Sequence, residues 1–295
     1  MKMTVETKTI EAVNGVKIPQ LGFGGVYKIK KKEEFEMSIR EAIRVGFRHF
    51  DTAKIYGNEQ ALGTAIEKSQ IPPREKFFIT SKVWNTDHGY KATKNAFEQT
   101  CKKLNVKYLD MYLIHFASPH YLETWKAMEE LYMEGRIKVI GVANFEIQHL
   151  ENIMKHSEIA PMINQIETHP EFPQNELHDY LKNHHILHEA WGGPLGQGNK
   201  ALLEHPDLKT IAHEHQKTVA QVILRWHLQR GIIIIPKSSN PQRIKENSDI
   251  FDFVLTHEEM GGKISQLNTG RRYSIKPTGY MINPFYNRLM KIFMK

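Results

Sequence analysis

The 295-residue chain contains one cysteine, Cys101, and no long uninterrupted hydrophobic run. A single cysteine excludes an intrachain disulfide and fits a reducing compartment. The most apolar stretch, residues 232–235, ends at Pro236 and is far shorter than the roughly 20 residues that cross a membrane. The N-terminus also lacks the uninterrupted apolar region of a signal peptide. These absences predict a cytoplasmic protein.

The net charge is +7, from 40 basic and 33 acidic residues. A basic chain can bind nucleic acid, a membrane surface or a small anion. Here the basic residues are scattered, and the run of lysines at 30–32 is followed at once by Glu33 and Glu34. No nucleic-acid-binding motif is present. The charge therefore indicates solvated helix faces, and we predict no nucleic-acid or membrane partner and no metal site.

A hairpin is predicted close to the N-terminus. Asn14-Gly15 separates two short apolar segments, residues 9–10 and 16–18. An Asn-Gly pair between apolar runs is a strong hairpin signal, because both residues tolerate a positive φ. We expect this hairpin to plug or cap a larger unit.

Beyond the hairpin, short apolar runs alternate with amphipathic helical patterns. The eight runs lie at residues 20–23, 48–50, 77–81, 109–114, 139–142, 162–166, 186–190 and 231–235. The helical patterns include residues 35–45, 61–68, 92–104, 122–132, 150–156 and 177–182. Such alternation is typical of parallel sheets built from crossover units. Eight units without a break favour a (β/α)8 barrel (TIM barrel), with an open doubly wound sheet as the alternative. No linker divides the chain, so residues 1–295 are predicted to form a single domain.

The C-terminal tail, residues 271–295, breaks this alternation and is rich in aromatic residues and methionine. The spacing of Phe285, Leu289, Ile292 and Phe293 suits one face of a helix. A basic amphipathic tail can lie on a membrane surface. Docking on its own barrel is the simpler interpretation, because apolar helix faces commonly pack against a core.

Polar or aromatic side chains follow the predicted strands, at the rim where a (β/α)8 barrel builds its active site. From the second strand to the eighth they are Asp51 and Tyr56, Lys82, His115, Asn144, Gln165, Trp191, and Lys237 with Ser238. Each alone has a structural explanation, since strand-end lysines are usually solvated and strand-end aspartates often cap helices. Their recurrence at successive strand ends predicts a functional site.

Four of these residues can form a proton-transfer unit. Tyrosine, with an ordinary pKa of about 10, is a weak acid at neutral pH, and a nearby ammonium lowers that pKa by stabilising the phenolate. We therefore predict Tyr56 as the acid, Lys82 as the group that tunes it, and Asp51 as the partner of Lys82. A neutral His115 would orient a carbonyl oxygen. The structural alternatives are a Tyr56 that merely packs under a helix capped by Asn58, and a core histidine at position 115.

These segments resemble the aldo-keto reductases over nearly the whole chain and in the family's order. The stretches that carry the resemblance are DTAKIYGNE (51–59), ITSKVWN (79–85), YLDMYLIH (108–115), IGVANF (140–145), INQIETHP (163–170), AW..PLGQG (190–198) and IPKSSNPQRIKEN (235–247). The chain is most similar to bacterial members that reduce glyoxal, methylglyoxal or 2,5-diketogluconate. The resemblance implies a monomeric (β/α)8 barrel that binds NADPH without a Rossmann domain, and the sequence indeed lacks a G-x-G-x-x-G motif after a strand.

The resemblance also implies a role for each site residue. Asp51, Tyr56, Lys82 and His115 match the catalytic tetrad, Asn144 and Gln165 the ligands of the nicotinamide carboxamide, and Trp191 the ring that stacks on the nicotinamide. Lys237, Ser238 and Arg243 match the site of the adenosine 2′-phosphate, and Asn247 the adenine contact. Arginine grips phosphate bidentately and lysine adds a point charge, which favours NADP over NAD.

The expected substrate is a small carbonyl compound, because Trp84, Phe116 and the tail would wall an apolar pocket. Phe116 stands where the family often has tryptophan, which would widen that pocket. Ala143 replaces a usual serine and removes a hydrogen bond worth about 1 kcal/mol of cofactor binding.

Four sites are one residue longer than the family pattern: Gly24-Gly25, Pro72-Pro73, Gly192-Gly193 and Gly261-Gly262. The pairs at 24–25 and 192–193 are expected to loosen the cofactor site. The pair at 261–262 falls in a helical pattern, where each glycine costs about 1 kcal/mol relative to alanine.

Two functions from different classes fit this sequence. The first is an NADPH-dependent reductase that converts small aldehydes or ketones to alcohols. The alternative is an NADPH-binding sensor or scaffold barrel with little turnover. The intact set of Tyr56, Lys82, Asp51 and His115 favours the enzyme, because a pure binding protein has no need of a tyrosine-lysine pair.

Overall fold

The computed structural model describes residues 8–25, 32–69, 71, 74–192, 200–274 and 277. The predicted hairpin is present as strands β1 (Thr9–Glu11) and β2 (Lys17–Pro19), which pair antiparallel. Asn14 in its turn donates from Nδ2 to the carbonyl of Lys138 at 2.8 Å. The hairpin therefore caps the barrel at the N-terminal end of the strand that contains Lys138.

Within the described ranges, eight parallel strands follow one another in chain order around a barrel. They are β3 (Gly22–Phe23), β4 (His49–Asp51), β5 (Phe78–Val83), β6 (Leu109–Ile114), β7 (Ile137–Ala143), β8 (Ile163–Glu167), β9 (Leu187–Trp191) and β10 (Ile233–Ile234). Strands β5 and β6 are buried at every position, as expected where one face lines the barrel and helices cover the other. Eight parallel strands, each flanked by helices, confirm the predicted (β/α)8 fold.

The barrel closes between its first and last strands. Leu21 forms a parallel bridge with Ile234, whose N–H donates to the carbonyl of Gln20 at 2.9 Å. Just beyond the ends of β3 and β10, the N–H of Gly24 donates to the carbonyl of Pro236 at 3.0 Å. Closure between β3 and β10 excludes the open doubly wound sheet.

Helices surround the strands as the outer layer. In the described part of the chain they are α1 (Lys32–Val45), α2 (Glu59–Glu67), α3 (Tyr90–Leu104), α4 (Tyr121–Met133), α5 (Ile147–His156), α6 (Asn175–Asn183), α7 (Lys200–Leu203), α8 (Pro206–Glu214), α9 (Val219–Gln229) and α10 (Pro241–Ser248). The six predicted helical patterns correspond to α1–α6. None of the described helices is both long and apolar enough to cross a membrane.

The doubled glycines at 24–25 lie where the barrel closes. A β-carbon on Gly24 would lie 2.3 Å from the carbonyl oxygen of Ile235, and one on Gly25 would lie 2.5 Å from the ring of Tyr56. Both positions therefore require glycine. Their effect on cofactor binding stays a prediction. Residues 72–73 and Gly193 lie outside the described residues.

The pair Gly261-Gly262 lies in a π-helix, Glu258–Ile264. A π-helical turn holds more residues than an α-helical turn. The helix can therefore accommodate one extra residue without a loop, which gives the doubled glycine a structural explanation.

The predicted amphipathic face of the tail, residues 285–293, lies outside the described residues. The start of the tail is described, and Glu167 at the end of β8 anchors it. The backbone N–H of Tyr273 donates to Glu167 Oε1 at 2.7 Å, and that of Ser274 donates to the same oxygen at 3.2 Å. The chain that follows the 3₁₀ turn Ser265–Leu267 is thereby held at the C-terminal rim of the barrel.

Candidate active site

The centre of the site is a buried ion pair between neighbouring strands β4 and β5. Lys82 Nζ lies 2.6 Å and 2.7 Å from the two carboxylate oxygens of Asp51 and donates a third hydrogen bond to the carbonyl of Thr52 at 3.1 Å. The side chains of Lys82 and Asp51 are 0% and 2% exposed. Burial, the largest single effect, lowers the pKa of Lys82, but the charge and hydrogen bond of Asp51, together with the nearby Tyr56 and Glu189, outweigh it, so this pKa lies above its usual value. Lys82 is therefore a charged ammonium, as predicted.

Tyr56 lies directly against this pair. It ends the short 3₁₀ turn Lys54–Tyr56, which Gly57 terminates in the left-handed region with φ 68°. Lys82 Nζ lies 5.2 Å from the centroid of the Tyr56 ring. The ammonium can therefore stabilise a phenolate at Tyr56, and the alternative of a tyrosine that merely packs under a helix does not account for this contact.

His115, directly after β6, completes the predicted tetrad. Its ring contacts that of Tyr56 edge to face, with centroids 5.7 Å apart. The side chain is buried, and burial, reinforced by the charge of Lys82, holds the pKa of His115 well below its usual value. The imidazole is thus neutral at physiological pH, which is the form required to donate one hydrogen bond to a carbonyl oxygen.

Trp84 and Phe116, the predicted substrate residues, flank His115. The Phe116 ring stacks on the imidazole with centroids 5.2 Å apart, and the Trp84 ring meets the imidazole edge to face at 5.1 Å. Both aromatic residues are buried. Together they form an apolar wall against the imidazole of His115.

The predicted carboxamide ligands and the stacking tryptophan are linked to the tetrad. Asn144 donates from Nδ2 to the carbonyl of His115 at 3.0 Å and accepts from Trp191 Nε1 at 2.9 Å. Gln165 donates from Nε2 to Asp51 Oδ2 at 3.0 Å. Asn144 has φ 61°, a left-handed conformation that asparagine tolerates better than most residues. These three residues and the four of the predicted tetrad, which belong to six neighbouring strands, therefore form one cluster that is joined through the Tyr56 ring.

The predicted phosphate residues lie apart from this cluster, at the end of β10 and on α10. Lys237 and Arg243 are exposed, and no ion pair within the described residues involves either of them. Ser238 Oγ accepts from the N–H of Asn240, whose side chain caps α10 by accepting from the N–H of Arg243 at 3.2 Å. Two available cations beside a helix N-terminus form a favourable site for a phosphate. Asn247 is buried on the same helix.

Two buried residues of the barrel interior escaped sequence reasoning. Glu189 on β9 and His49 on β4 are both 0% exposed, and Glu189 Oε1 lies 3.9 Å from His49 Nε2. A signal for Glu189 is present in the sequence, because a carboxyl residue stands inside a predicted buried strand two positions before Trp191. It lies before the strand end, where site residues are expected, and so is not among the predicted site residues.

Comparison with known proteins decides the family. A sequence model described as "Aldo/keto reductase family" matches residues 20–267. The chain belongs to the aldo/keto reductase family. It is 48% identical to a glyoxal reductase of Bacillus subtilis strain 168 over 270 residues, which cover 91% of this chain and 96% of the relative. It is 42% identical to the methylglyoxal reductase DkgA of Escherichia coli strain K12 over 271 residues, which cover 91% and 96%.

Among solved structures, a Gox0644 variant in complex with NADPH is 40% identical, with a TM-score of 0.86, and the match covers 92% of this chain and 98% of that chain. The predictions of an NADP-dependent oxidoreductase and of NADPH as cofactor are thereby confirmed. The comparisons support the reductase and not the scaffold protein.

Proposed function

We propose that this aldo/keto reductase reduces a small carbonyl compound with Tyr56 as the general acid. The observation that carries the proposal is the Lys82–Asp51 pair, buried and in contact with the Tyr56 ring. In this family NADPH, when bound, supplies a hydride to the carbonyl carbon. Negative charge then develops on the carbonyl oxygen, and Tyr56 donates the phenolic proton to it.

The other members of the cluster prepare this proton transfer. The Lys82 ammonium stabilises the phenolate that remains on Tyr56, and Asp51 keeps the ammonium charged and in place. Neutral His115 donates a hydrogen bond to the same carbonyl oxygen and so positions it beside Tyr56. Because Trp84 and Phe116 cover this region, the reacting groups are shielded from water.

The residues present fit the cofactor. The carboxamide of the nicotinamide would lie against Asn144 and Gln165, and its ring against Trp191. Lys237 and Arg243 are exposed cations free to bind the 2′-phosphate, with Ser238 beside them and Asn247 towards the adenine. Neither Lys237 nor Arg243 forms an ion pair with a carboxylate among the described residues. A phosphate can therefore bind to them without displacing an existing partner.

For the substrate we propose a short α-dicarbonyl compound, since the relatives include a glyoxal reductase and a methylglyoxal reductase. The apolar wall of Trp84 and Phe116 suits a small substrate with few polar groups. We further propose that the protein acts as a cytoplasmic monomer that forms one domain and binds neither nucleic acid nor membranes.

The test is the oxidation of NADPH followed by absorbance, with glyoxal, methylglyoxal, a nitrobenzaldehyde and a diketogluconate as substrates and NADH in parallel. Turnover that requires both NADPH and the carbonyl compound is expected, with the dicarbonyl compounds preferred. Tight NADPH binding without turnover on any of the four would instead support the sensor or scaffold protein.

A further inference from the structure

Glu189 is a carboxyl group in the barrel interior that the proposed mechanism does not use. It stands in register with Gln165 on β8 and with Ile233 on β10. Neighbouring residues in register on parallel strands face the same side of the sheet. Since Gln165 reaches across the interior to Asp51, Glu189 also faces the barrel interior, into which the Asp51–Lys82 pair points.

The surroundings of Glu189 disfavour its ionised form. Its side chain is 0% exposed, and neither carboxyl oxygen has a hydrogen-bond partner among the described residues. An ionised carboxylate that is buried without donors is costly, and such groups normally keep their proton. Burial first, and then the negative charge of Asp51, raise the pKa of Glu189 to about 8, although Lys82 and Gln165 act in the opposite direction.

The nearest base in the interior does not accept this proton. His49 Nε2 is 3.9 Å from Glu189 Oε1 and lies 3.0 Å from Thr80 Oγ1. Burial lowers the pKa of His49 to about 4, so the ring is neutral at physiological pH. The titratable groups that face Glu189 are therefore the neutral imidazole of His49 on β4, the carboxylate of Asp51 on the same strand and the ammonium of Lys82 on β5.

We propose that Glu189 is a positioning residue of the proton-transfer cluster, which acts as a neutral acid beside the Asp51–Lys82 pair and weakens catalysis when it ionises. With Glu189 neutral, one carboxylate balances one ammonium. A second carboxylate would oppose the negative charge that develops on the substrate oxygen and on Tyr56. This inference rests on the proposed function, because it concerns the acid role of Tyr56.

The experiment is the pH dependence of kcat/KM for methylglyoxal reduction in the wild type and in Glu189→Gln. Glutamine keeps the size of the side chain and cannot ionise. The midpoint of the alkaline limb is expected to rise by about 1 pH unit in Glu189→Gln. In Glu189→Asp, which restores a carboxyl group, the midpoint should return towards that of the wild type.

A matched control is Glu59→Gln, another buried carboxyl group. Glu59 accepts hydrogen bonds from Ser81 and Thr100 at 2.9 Å and 2.8 Å, and its charge is paired with Lys103, whose Nζ lies 3.4 Å from Glu59 Oε2. Its substitution should leave the midpoint in place. A Glu189→Gln profile that superimposes on the wild-type profile, or an equal shift in Glu59→Gln, would overturn the proposal.

Infrared difference spectra of the wild-type enzyme between pH 7 and 9.5 give a second, independent readout. They test the proposal even if the Glu189→Gln variant does not fold. The proposal predicts a carbonyl stretch from a protonated carboxylic acid at pH 7 that disappears at high pH. Its absence at pH 7 overturns the proposal. This measurement needs no turnover, so it separates a failure of the Glu189 assignment from a failure of the proposed function.

Discussion

The Asp51–Lys82 pair should serve both stability and catalysis, and a double-mutant cycle can separate the two. Asp51→Asn removes the charge that offsets a 0%-exposed ammonium. Breaking a buried ion pair on one side costs about 3–5 kcal/mol, because the remaining charge is left buried without its partner. We therefore expect Asp51→Asn to lower the free energy of unfolding at pH 7 by about 3 kcal/mol, measured by urea denaturation.

The loss should depend on pH in a direction that identifies its cause. In the wild type the pKa of Lys82 is raised, so its contribution to stability is fully present below the unfolded-state pKa and is lost only as pH rises through the folded-state value. In Asp51→Asn the strongest effect that raises the pKa of Lys82 is removed, so burial, the largest effect on this group, dominates and the folded-state pKa falls below its usual value. The folded state then binds fewer protons than the unfolded state, and stability rises with pH. The deficit of the variant should consequently shrink between pH 7 and pH 10.

Lys82→Met completes the cycle. Combined with Asp51→Asn it removes the buried charge, so the double variant should regain most of the lost stability at pH 7. Catalysis should not return, because neither charge is left to support Tyr56. Three results would refute this reasoning: an Asp51→Asn variant as stable as the wild type, a deficit independent of pH, or a double variant no more stable than Asp51→Asn alone.

Two further predictions concern the cofactor and the glycines. Arg243→Ala should weaken NADPH binding by about 1.5–3 kcal/mol, the worth of a charged hydrogen bond, and barely change NADH binding. Fluorescence titration with both cofactors measures this, and equal losses contradict the phosphate assignment. Gly25→Ala should lower kcat at least about tenfold, because the new β-carbon would lie 2.5 Å from the Tyr56 ring. Gly261→Ala is its control, since nothing lies within 4 Å of that β-carbon. Equal kcat values in the two variants would contradict the tight fit at Tyr56.

The architecture could be predicted from the sequence because each strand is short, apolar and followed by a helical pattern. Predicted and observed bounds of the strands agree to within two residues, and β6 agrees at both ends. The N-terminal end of β7 was placed too late, because Lys138 interrupts the apolar run. Strand pairing with β6 overrides that polar residue.

The site residues could be predicted because they occupy strand ends, which a barrel brings to one rim. The hydrogen bonds between these residues could not be predicted from the sequence. The chain from Trp191 through Asn144 to His115 depends on the left-handed backbone at Asn144, and residue type gives no certain sign of that conformation. The role of Glu189 depends on which residues of β9 point into the barrel interior. A one-residue change of register would have placed this carboxyl group on the helix side.

The π-helix at Glu258–Ile264 shows a different limit. A doubled glycine in a helical pattern predicts a weakened α-helix when propensity alone is considered. In the structure the segment forms a π-helix, whose turns hold more residues than those of an α-helix, and Glu259 and Ile264 are buried. Residue propensity alone carries no information on this wider turn.

The central claim is that Tyr56 gives its proton to the substrate, and the most direct test is Tyr56→Phe. Turnover of methylglyoxal and binding of NADPH, the latter by fluorescence, should be measured on the same preparation beside the wild type. The variant is expected to lose at least about a hundredfold in kcat, the usual worth of general acid catalysis, while its affinity for NADPH stays nearly unchanged. Turnover that survives the substitution would contradict the claim and assign the acid to another group.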